Sequence, residues 1–179
     1  EARERLKLAV VLFVPAGQPW LKVSTPISAA EHRLEMVRLA IANKPYFQLS
    51  TMEVERPGPS YTVDTVAELQ GQLGDGDELF FILGWDSLAE LPQWQEPSRI
   101  IGMCQLVVVP RPGYPRPKLK KLEAVIPGLS HRVMFMDKPE VDISASAIRD
   151  RVARGLSVRH LVPEPVNRYI KEHKLYLTR

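Results

Sequence analysis

The run Leu79-Phe80-Phe81-Ile82-Leu83, followed directly by Gly84-Trp85-Asp86-Ser87, is the stretch that decides the fold class of this chain. Five consecutive apolar residues are typical of a parallel strand that is buried on both faces. The glycine and the polar residues that follow predict a loop that leads into a short helix. Ligands of an open parallel sheet bind where the strands end, so residues 84–87 are also candidate binding residues.

The alternation of strand and helix patterns continues on both sides of this stretch. Such an order predicts an α/β fold, with a parallel sheet that carries helices on both faces. We find no internal repeat and no linker that would divide the chain, so residues 1–179 are expected to form a single domain. The other strands are predicted at Val10–Val14, Phe47–Val54, Leu106–Val109 and Val133–Met136, and the clearest helices at Ser144–Arg154 and Pro163–His173.

The composition is typical of one globular domain of the cytoplasm. Of the 179 residues, 45% are hydrophobic and 25% are charged, a mixture that argues against disorder. No apolar run approaches the roughly 18 residues that a membrane helix needs, and the charged start at Glu1 lacks the apolar core of a signal peptide. The single cysteine, Cys104, cannot form an internal disulfide, which favours a reducing compartment. Its apolar neighbours favour a buried structural thiol over a nucleophile.

The charge balance and the histidines narrow the range of partners. A net charge of +3 mildly favours anionic ligands. The only dense basic cluster, Lys118–Lys121, fits a solvated helix face better than a nucleic-acid patch, so no nucleic-acid partner is expected. No histidine has metal-ligand spacing with another histidine, a cysteine or a carboxylate, so we predict no metal site on the protein.

The segment from Asp142 to Arg149 is the most informative candidate site. Ser144 can cap the helix that follows, which leaves backbone N–H groups and the positive end of the helix dipole free to meet an anion. Ser146 adds a hydroxyl, and Arg149 lies three residues further on, where its planar fork can bind two phosphate oxygens. The same pattern also fits an ordinary capped helix with a surface arginine.

Other candidates follow predicted strands or lie in a loop. Asp86 can accept hydrogen bonds from ribose hydroxyls, although it also fits a helix cap. Trp94 lies in a polar, proline-bearing stretch, where a half-exposed ring could stack on a flat heteroaromatic ligand or pack on the core as a lid. Lys22 ends the first loop and could meet a phosphate as a point charge, or could be a solvated lysine.

Several segments, taken together, resemble the bacterial nicotinate-nucleotide adenylyltransferases of the nucleotidyltransferase superfamily. The resemblance covers nearly the whole chain in the same order. It implies a Rossmann-like nucleotidyltransferase fold and transfer of the adenylyl group of ATP to nicotinate mononucleotide, which gives nicotinate adenine dinucleotide and pyrophosphate. The segments that carry it are Val11–Pro15, Glu55–Thr65, Ile82–Ser87 with Leu91–Trp94, Val109–Tyr114, Ile143–Arg149, and the ending from Val162 to Tyr176.

The resemblance also implies roles for single residues. Lys22 and Arg149 would be the catalytic cations, and Mg²⁺ would accompany ATP as the cofactor. Thr62, through its backbone, and Trp94 would bind nicotinate mononucleotide. ATP would be bound by Gly84, Asp86, Arg111, Ser144, Ser146 and Arg149.

Two departures from the family pattern affect these expectations. The family's Gly-Gly-x-Phe-x-Pro-x-His-x-Gly-His type of motif, which follows its first strand, is absent from this sequence. We therefore expect that the first strand and its loop are missing from the chain and that the domain is incomplete at its N-terminus. Leu21 stands where the family usually has histidine, which leaves one phosphate contact open.

Alternative functions stay open at this point. Without the histidine motif, the chain could be a nucleotide-binding module that has no activity. A related adenylyltransferase that acts on another phosphate-bearing acceptor would have the same fold. No membrane partner is expected, and the sequence is compatible with a monomer or a homo-oligomer.

Overall fold

The computed structural model describes residues 1–20, 28–138 and 141–177. The chain divides into two compact units, of which the first comprises Glu1–Lys7 and Pro59–Asp142, and the second Leu8–Gly58 and Ile143–Arg179. Over the described residues, the elements follow one another as α1 (Ala2–Leu6), β1 (Val11–Phe13), α2 (Ala30–Ile41), β2 (Phe47–Leu49), α3 (Met52–Glu55), α4 (Thr62–Gln70), β3 (Phe80–Gly84), α5 (Trp85–Glu90), α6 (Pro97–Met103), β4 (Gln105–Val109), α7 (Leu119–Glu123), β5 (Val133–Phe135), α8 (Ala145–Ala153) and α9 (Glu164–Glu172).

The first unit is built on a parallel sheet with the strand order β3-β4-β5. The central strand β4 is the most deeply buried, because Leu106, Val107 and Val108 are all fully enclosed. A continuous apolar core joins this sheet to α4, α5 and α6. Its buried members are Val63, Val66, Leu83, Leu88, Leu91, Ile100, Ile101, Cys104, Leu106, Val108, Ile126 and Leu129.

The second unit contains the parallel pair β1 and β2, in which Val11 lies opposite Phe47. Helices α2 and α9 pack against each other, and His32 Nδ1 lies 2.8 Å from the hydroxyl of Tyr169 across that contact. Val166 and Ile170 lie one turn apart on α9 and are both buried, so α9 presents one apolar stripe to its unit.

The prediction of a parallel α/β fold is confirmed, but two details of it are wrong. The strands form two sheets and not one, since β1 pairs with β2 while β3 pairs with β4 among the described residues. The strand predicted at Phe47–Val54 ends at Leu49 and gives way to α3. The amide of Met52 donates to Ser50 Oγ at 3.3 Å, and this local turn bends the chain out of the strand.

Candidate functional site

Two predicted ATP residues meet at the carboxyl edge of the first unit's sheet. Gly84 and Val109 are register partners at the ends of β3 and β4, so the residues just beyond them emerge side by side. Asp86 Oδ2 accepts from Arg111 Nη1 at 2.9 Å, and the carboxylate is the more buried partner of this ion pair. The geometry therefore brings Gly84, Asp86 and Arg111 together where ligands of parallel sheets bind.

Gly84 is required for this arrangement by its lack of a side chain. A Cβ at this position would lie 2.5 Å from Asp86 Oδ1 and 3.7 Å from Cδ of Arg111. The same Asp86 Oδ1 is buried and has no hydrogen-bond partner among the described residues. A buried acceptor without a partner is costly, so this oxygen is suited to receive a hydrogen bond from a ligand hydroxyl.

Trp94 is partly buried and packs against the apolar core of the first unit. Its ring meets Phe81 edge to face, with the centroids 5.9 Å apart and an angle of 85° between the planes. Its Nε1 is buried without a partner among the described residues, as is Nε1 of Trp85. The ring thus serves as a lid on the core in this structure, and a stacking role stays a prediction.

Thr62 is the first residue of α4, and Tyr61 before it has extended backbone geometry. The amide of Asp64 already donates to the carbonyl oxygen of Tyr61 at 3.2 Å. The two earlier amides of the first turn have no acceptor within the helix, so they are suited to an anion such as a carboxylate. Val63 next to it is buried, which anchors this end of α4 to the core. The main chain at Thr62 therefore has the donors that the resemblance requires.

The second unit contains the predicted phosphate-binding helix start. Ser144 is the N-cap of α8, and its Oγ accepts from the amide of Ala147 at 3.1 Å, which confirms the predicted cap. Its hydroxyl hydrogen is not used by this bond and can still be donated to a ligand. Arg149 Nη2 donates to Ser146 Oγ at 3.2 Å, so these two side chains lie on the same face as the spacing predicts.

The predicted site residues that the structure describes thus fall into two groups, one in each unit. Lys22 lies outside the described residues. Thr62, Gly84, Asp86, Trp94 and Arg111 belong to the first unit, and Ser144, Ser146 and Arg149 belong to the second.

The structure adds features that sequence reasoning missed. The sequence pattern does not single out Trp85, yet its buried Nε1 has no partner in the described part of the chain. The guanidinium of Arg111 also lies 5.5 Å from the ring centroid of Tyr114, so one face of Arg111 is covered while Asp86 orients it. The pattern Pro110-Arg111-Pro112-Gly113-Tyr114 was a usable signal, because an arginine that follows a strand beside an aspartate loop is placed to pair with it.

Cys104 is confirmed as a buried structural thiol. Burial raises its pKa to about 11, and its Sγ lies 3.4 Å from the carbonyl oxygen of Ile100. Over residues 1–20, 28–138 and 141–177, no three histidine, cysteine, aspartate or glutamate side chains are grouped so that they could hold a metal ion. None of the helices described here combines the length and the apolar character that membrane crossing requires.

Comparison with known proteins defines the class of protein first. The model of the cytidylyltransferase-like family matches residues 1–151. The fold is similar to that of Plasmodium falciparum nicotinic acid mononucleotide adenylyltransferase, solved in complexes with APC and with NaAD. The TM-scores are 0.69 and 0.72 at 16% sequence identity, and each alignment covers 94% of this chain and 83% of the other. The chain therefore belongs to the cytidylyltransferase-like family of nucleotidyltransferases.

Curated relatives narrow this class. A protein of Dehalococcoides mccartyi, described as a probable nicotinate-nucleotide adenylyltransferase, is 49% identical over 98% of this chain and 86% of its own length. Two further proteins have the same description. The one from Thermomicrobium roseum is 44% identical, and the alignment covers 98% of this chain and 81% of the relative. The one from a Roseiflexus species is 43% identical, and the alignment covers 98% of this chain and 87% of the relative. The chain belongs to the nicotinate-nucleotide adenylyltransferase family.

Proposed function

We propose that this protein transfers the adenylyl group of ATP to nicotinate mononucleotide. A 5′-phosphate oxygen of the mononucleotide attacks the α-phosphorus of ATP, the bond from that phosphorus to the bridging oxygen breaks, and pyrophosphate leaves with the electron pair. The products are nicotinate adenine dinucleotide and pyrophosphate. The observation that supports this function best is the trio of Gly84, Asp86 and Arg111 at adjoining strand ends in a chain of this family.

We assign the ribose and the phosphates of ATP to different groups of residues. Asp86 would accept from a hydroxyl of the ribose through its buried Oδ1, while Arg111 orients the carboxylate from its other side. The amides at the start of α8 and the hydroxyls of Ser144 and Ser146 would donate to phosphate oxygens. Arg149 would neutralise the charge that develops on the leaving pyrophosphate, and Lys22 would add a second cation.

Nicotinate mononucleotide is assigned to the first unit alone. The open amides at Thr62 would donate to the nicotinate carboxylate, and the indole of Trp94 would stack on the pyridine ring. The first assignment pairs a carboxylate with N–H donors, and the second pairs one flat aromatic ring with another. An acceptor without a carboxylate would lose the hydrogen bond from Thr62.

The proposed reaction needs no protein base, because the attacking phosphate is already an anion. Catalysis then consists of placing the two phosphates in line and neutralising negative charge. Mg²⁺, bound to ATP, would supply further charge neutralisation on the phosphate oxygens.

The wider setting that we propose is a cytoplasmic enzyme, either a monomer or a homo-oligomer, in which residues 1–179 form a single domain. ATP and nicotinate mononucleotide are its partners in this proposal, with no role for nucleic acid or membrane. The surface lysines of 118–121 stay consistent with a solvated helix face, since α7 begins at Leu119 and contains no buried residue.

The test is pyrophosphate release by the protein expressed from its complete coding sequence. ATP and Mg²⁺ are supplied with nicotinate mononucleotide, nicotinamide mononucleotide or pantetheine phosphate, and the products are separated by chromatography. We expect release with nicotinate mononucleotide and formation of the dinucleotide. Absence of release with every acceptor would refute the enzyme, and a clear preference for another acceptor would refute the substrate.

A further inference from the structure

Arg33 on α2 holds three backbone carbonyls of the second unit. Its Nε donates to the carbonyl oxygen of Ser28 at 3.1 Å and its Nη2 to that of Gly17 at 3.1 Å, while Nη1 donates to the carbonyl of Ala16. A guanidinium is planar, and hydrogen bonds from a charged donor are stronger than neutral ones. The main chain at Ala16 and Gly17 is therefore fixed in one position relative to α2.

The same loop is confined from its other side by the backbone of α3. A Cβ placed on Gly17 would collide with the carbonyl oxygen of Glu53 and lie 3.2 Å from Cα of Val54. These neighbours are main-chain atoms and cannot turn aside as a long side chain could. Gly17 is thus enclosed between the Arg33 guanidinium and the α3 backbone.

This enclosed loop follows the carboxyl end of a parallel strand. β1 ends at Phe13, whose carbonyl accepts from the amide of Ser50 at 2.9 Å, so the loops after β1 and β2 start at the same edge. Ligands of open parallel sheets bind at such edges. All three Arg33 acceptors are neutral carbonyls, and the described residues give Arg33 no ion-pair partner, so its positive charge stays available to attract phosphates.

We propose that Arg33 is a positioning residue for the adenylyl transfer, which acts by holding the main chain of Ala16 and Gly17 at this edge. The inference rests on the proposed function, because it requires that the loop after β1 faces the reacting phosphates. Arg33 itself touches no substrate in this proposal. The positive charge of Arg33 and its three hydrogen bonds to carbonyls can be tested separately. Lysine at this position would keep the charge but could not make the same three hydrogen bonds.

The experiment compares Arg33→Lys with the unsubstituted protein, both expressed from the complete coding sequence. Circular dichroism confirms folding, and kcat and KM for both substrates are measured well below the thermal midpoint. We expect kcat to fall by roughly ten- to a hundredfold, as for a small displacement of a catalytic loop. KM for each substrate should change little, because the charge is retained.

The matched control is Arg38→Lys on the same helix, where the guanidinium is exposed and pairs with Glu35 at the surface. This control should leave kcat unchanged. A folded Arg33→Lys protein whose thermal midpoint falls while kcat stays within about twofold would overturn the proposal, since a twofold change is well below one tenfold step of about 1.4 kcal/mol. Such a result would show a purely structural role for Arg33.

A second variant covers the case in which Arg33→Lys does not fold. Gly17→Ala pushes the same loop from the α3 side and leaves Arg33 in place, so it should also lower kcat. Gly102→Ala is its control, because a Cβ at Gly102 meets no atom within 4 Å. Normal kcat in folded Gly17→Ala would overturn the proposal. An inactive unsubstituted protein would instead refute the proposed function, so the two failures are distinguishable.

Discussion

Single residues at the strand ends of the first unit carry the chemistry that we assign to the ATP ribose. Asp86 is held from one side by Arg111 at 2.9 Å, and its other oxygen is buried without a partner among the described residues. A carboxylate held in this way has one orientation and one free acceptor position. Gly84 permits that orientation, because a Cβ there would lie 2.5 Å from Asp86 Oδ1 and the carboxylate would have to move.

Asp86→Asn is therefore expected to raise KM for ATP by about tenfold, the cost of one hydrogen bond to a charged group. KM for nicotinate mononucleotide should change far less. Steady-state kinetics with each substrate varied in turn provides the measurement. Arg116→Met is a suitable control, since Arg116 is an exposed cation of the same region that lies over Phe135. Equal increases in both KM values would argue against a ribose contact.

Cys104 should behave as an inert thiol in the folded protein. Burial raises its pKa to about 11, so the folded thiol stays neutral at a pH where an exposed thiol with a pKa of about 8.5 ionises. Its stabilising contribution is complete below the unfolded pKa and is lost as pH rises towards the folded value.

The measurement is the rate of reaction with a thiol reagent at pH 8.5, with and without denaturant. We expect the native rate to be lower by about a hundredfold or more, because only the thiolate reacts and burial also blocks access. A Cys104→Ala protein should lose less stability between pH 8 and 10 than the parent. Similar reaction rates in the folded and unfolded protein would contradict the burial of this side chain.

At the scale of secondary-structure elements, the start of α8 combines a structural role with a proposed binding role. Ser144 caps the helix through the amide of Ala147, and this contact would exist without any ligand. A loss of ATP binding in Ser144→Ala could thus arise from a damaged helix alone. Separation of the two roles needs a residue that caps equally well but repels phosphate.

Ser144→Asp is that residue, because aspartate is as good an N-cap as serine. We expect its thermal midpoint to match the parent's, while KM for ATP rises by at least about tenfold from repulsion between the new carboxylate and the phosphates. Ser144→Ala should show the reverse pattern, with a loss of about 1 kcal/mol in stability. An unchanged KM for ATP in Ser144→Asp would remove the phosphate from this helix start.

Another element-scale feature is the loop after α7, which is fastened by Glu123. Its carboxylate accepts from the amides of Gly128 and Ser130 at 2.7 and 2.6 Å. The hydrogen bonds from Ser130 and Gly128 lower the pKa of Glu123 below its ordinary value. The contribution to stability is thus present above the usual glutamate pKa and is lost as pH falls through the lowered folded value.

Glu123→Gln should lower the thermal midpoint at pH 7, and the difference from the parent should shrink as the pH approaches 3. Scanning calorimetry between pH 3 and 7 measures both effects. Glu90→Gln is the matched control, since Glu90 is an exposed glutamate of the same unit. A midpoint difference that stays constant with pH would exclude the carboxylate as its cause.

At the scale of the whole molecule, the features that could be predicted depend on residues that are close together in the sequence. The Ser144 cap and the shared face of Ser146 and Arg149 each depend on residues three positions apart, and both were predicted from spacing and confirmed. The apolar runs at β3 and β4 likewise identified strands. Burial on both faces explains the run at β4. It does not hold for β3, in which Leu83 is buried but Ile82 is exposed.

The unpredicted features depend on contacts between distant parts of the chain. Nothing in the local pattern specifies that Gly84 is the register partner of Val109, so the strand-end pattern suggests that Arg111 can pair with Asp86 but does not give the geometry of the pair. The division of the strands into two sheets is of the same kind, since periodicity identifies strands but not their neighbours. Arg33 carries no motif, because its acceptors are backbone carbonyls that any sequence supplies.

The central claim is that separate residues bind ATP and nicotinate mononucleotide. Calorimetric titration of two variants tests this claim most directly. Arg149→Ala should weaken ATP binding by roughly tenfold or more and leave nicotinate mononucleotide binding unchanged. Trp94→Ala should do the opposite, with a loss of about tenfold for the mononucleotide from the missing stacking contact. Arg154→Ala, an exposed substitution next to α8, should affect neither ligand. Equal losses for both ligands in either variant, or unchanged ATP binding in Arg149→Ala, would contradict the account.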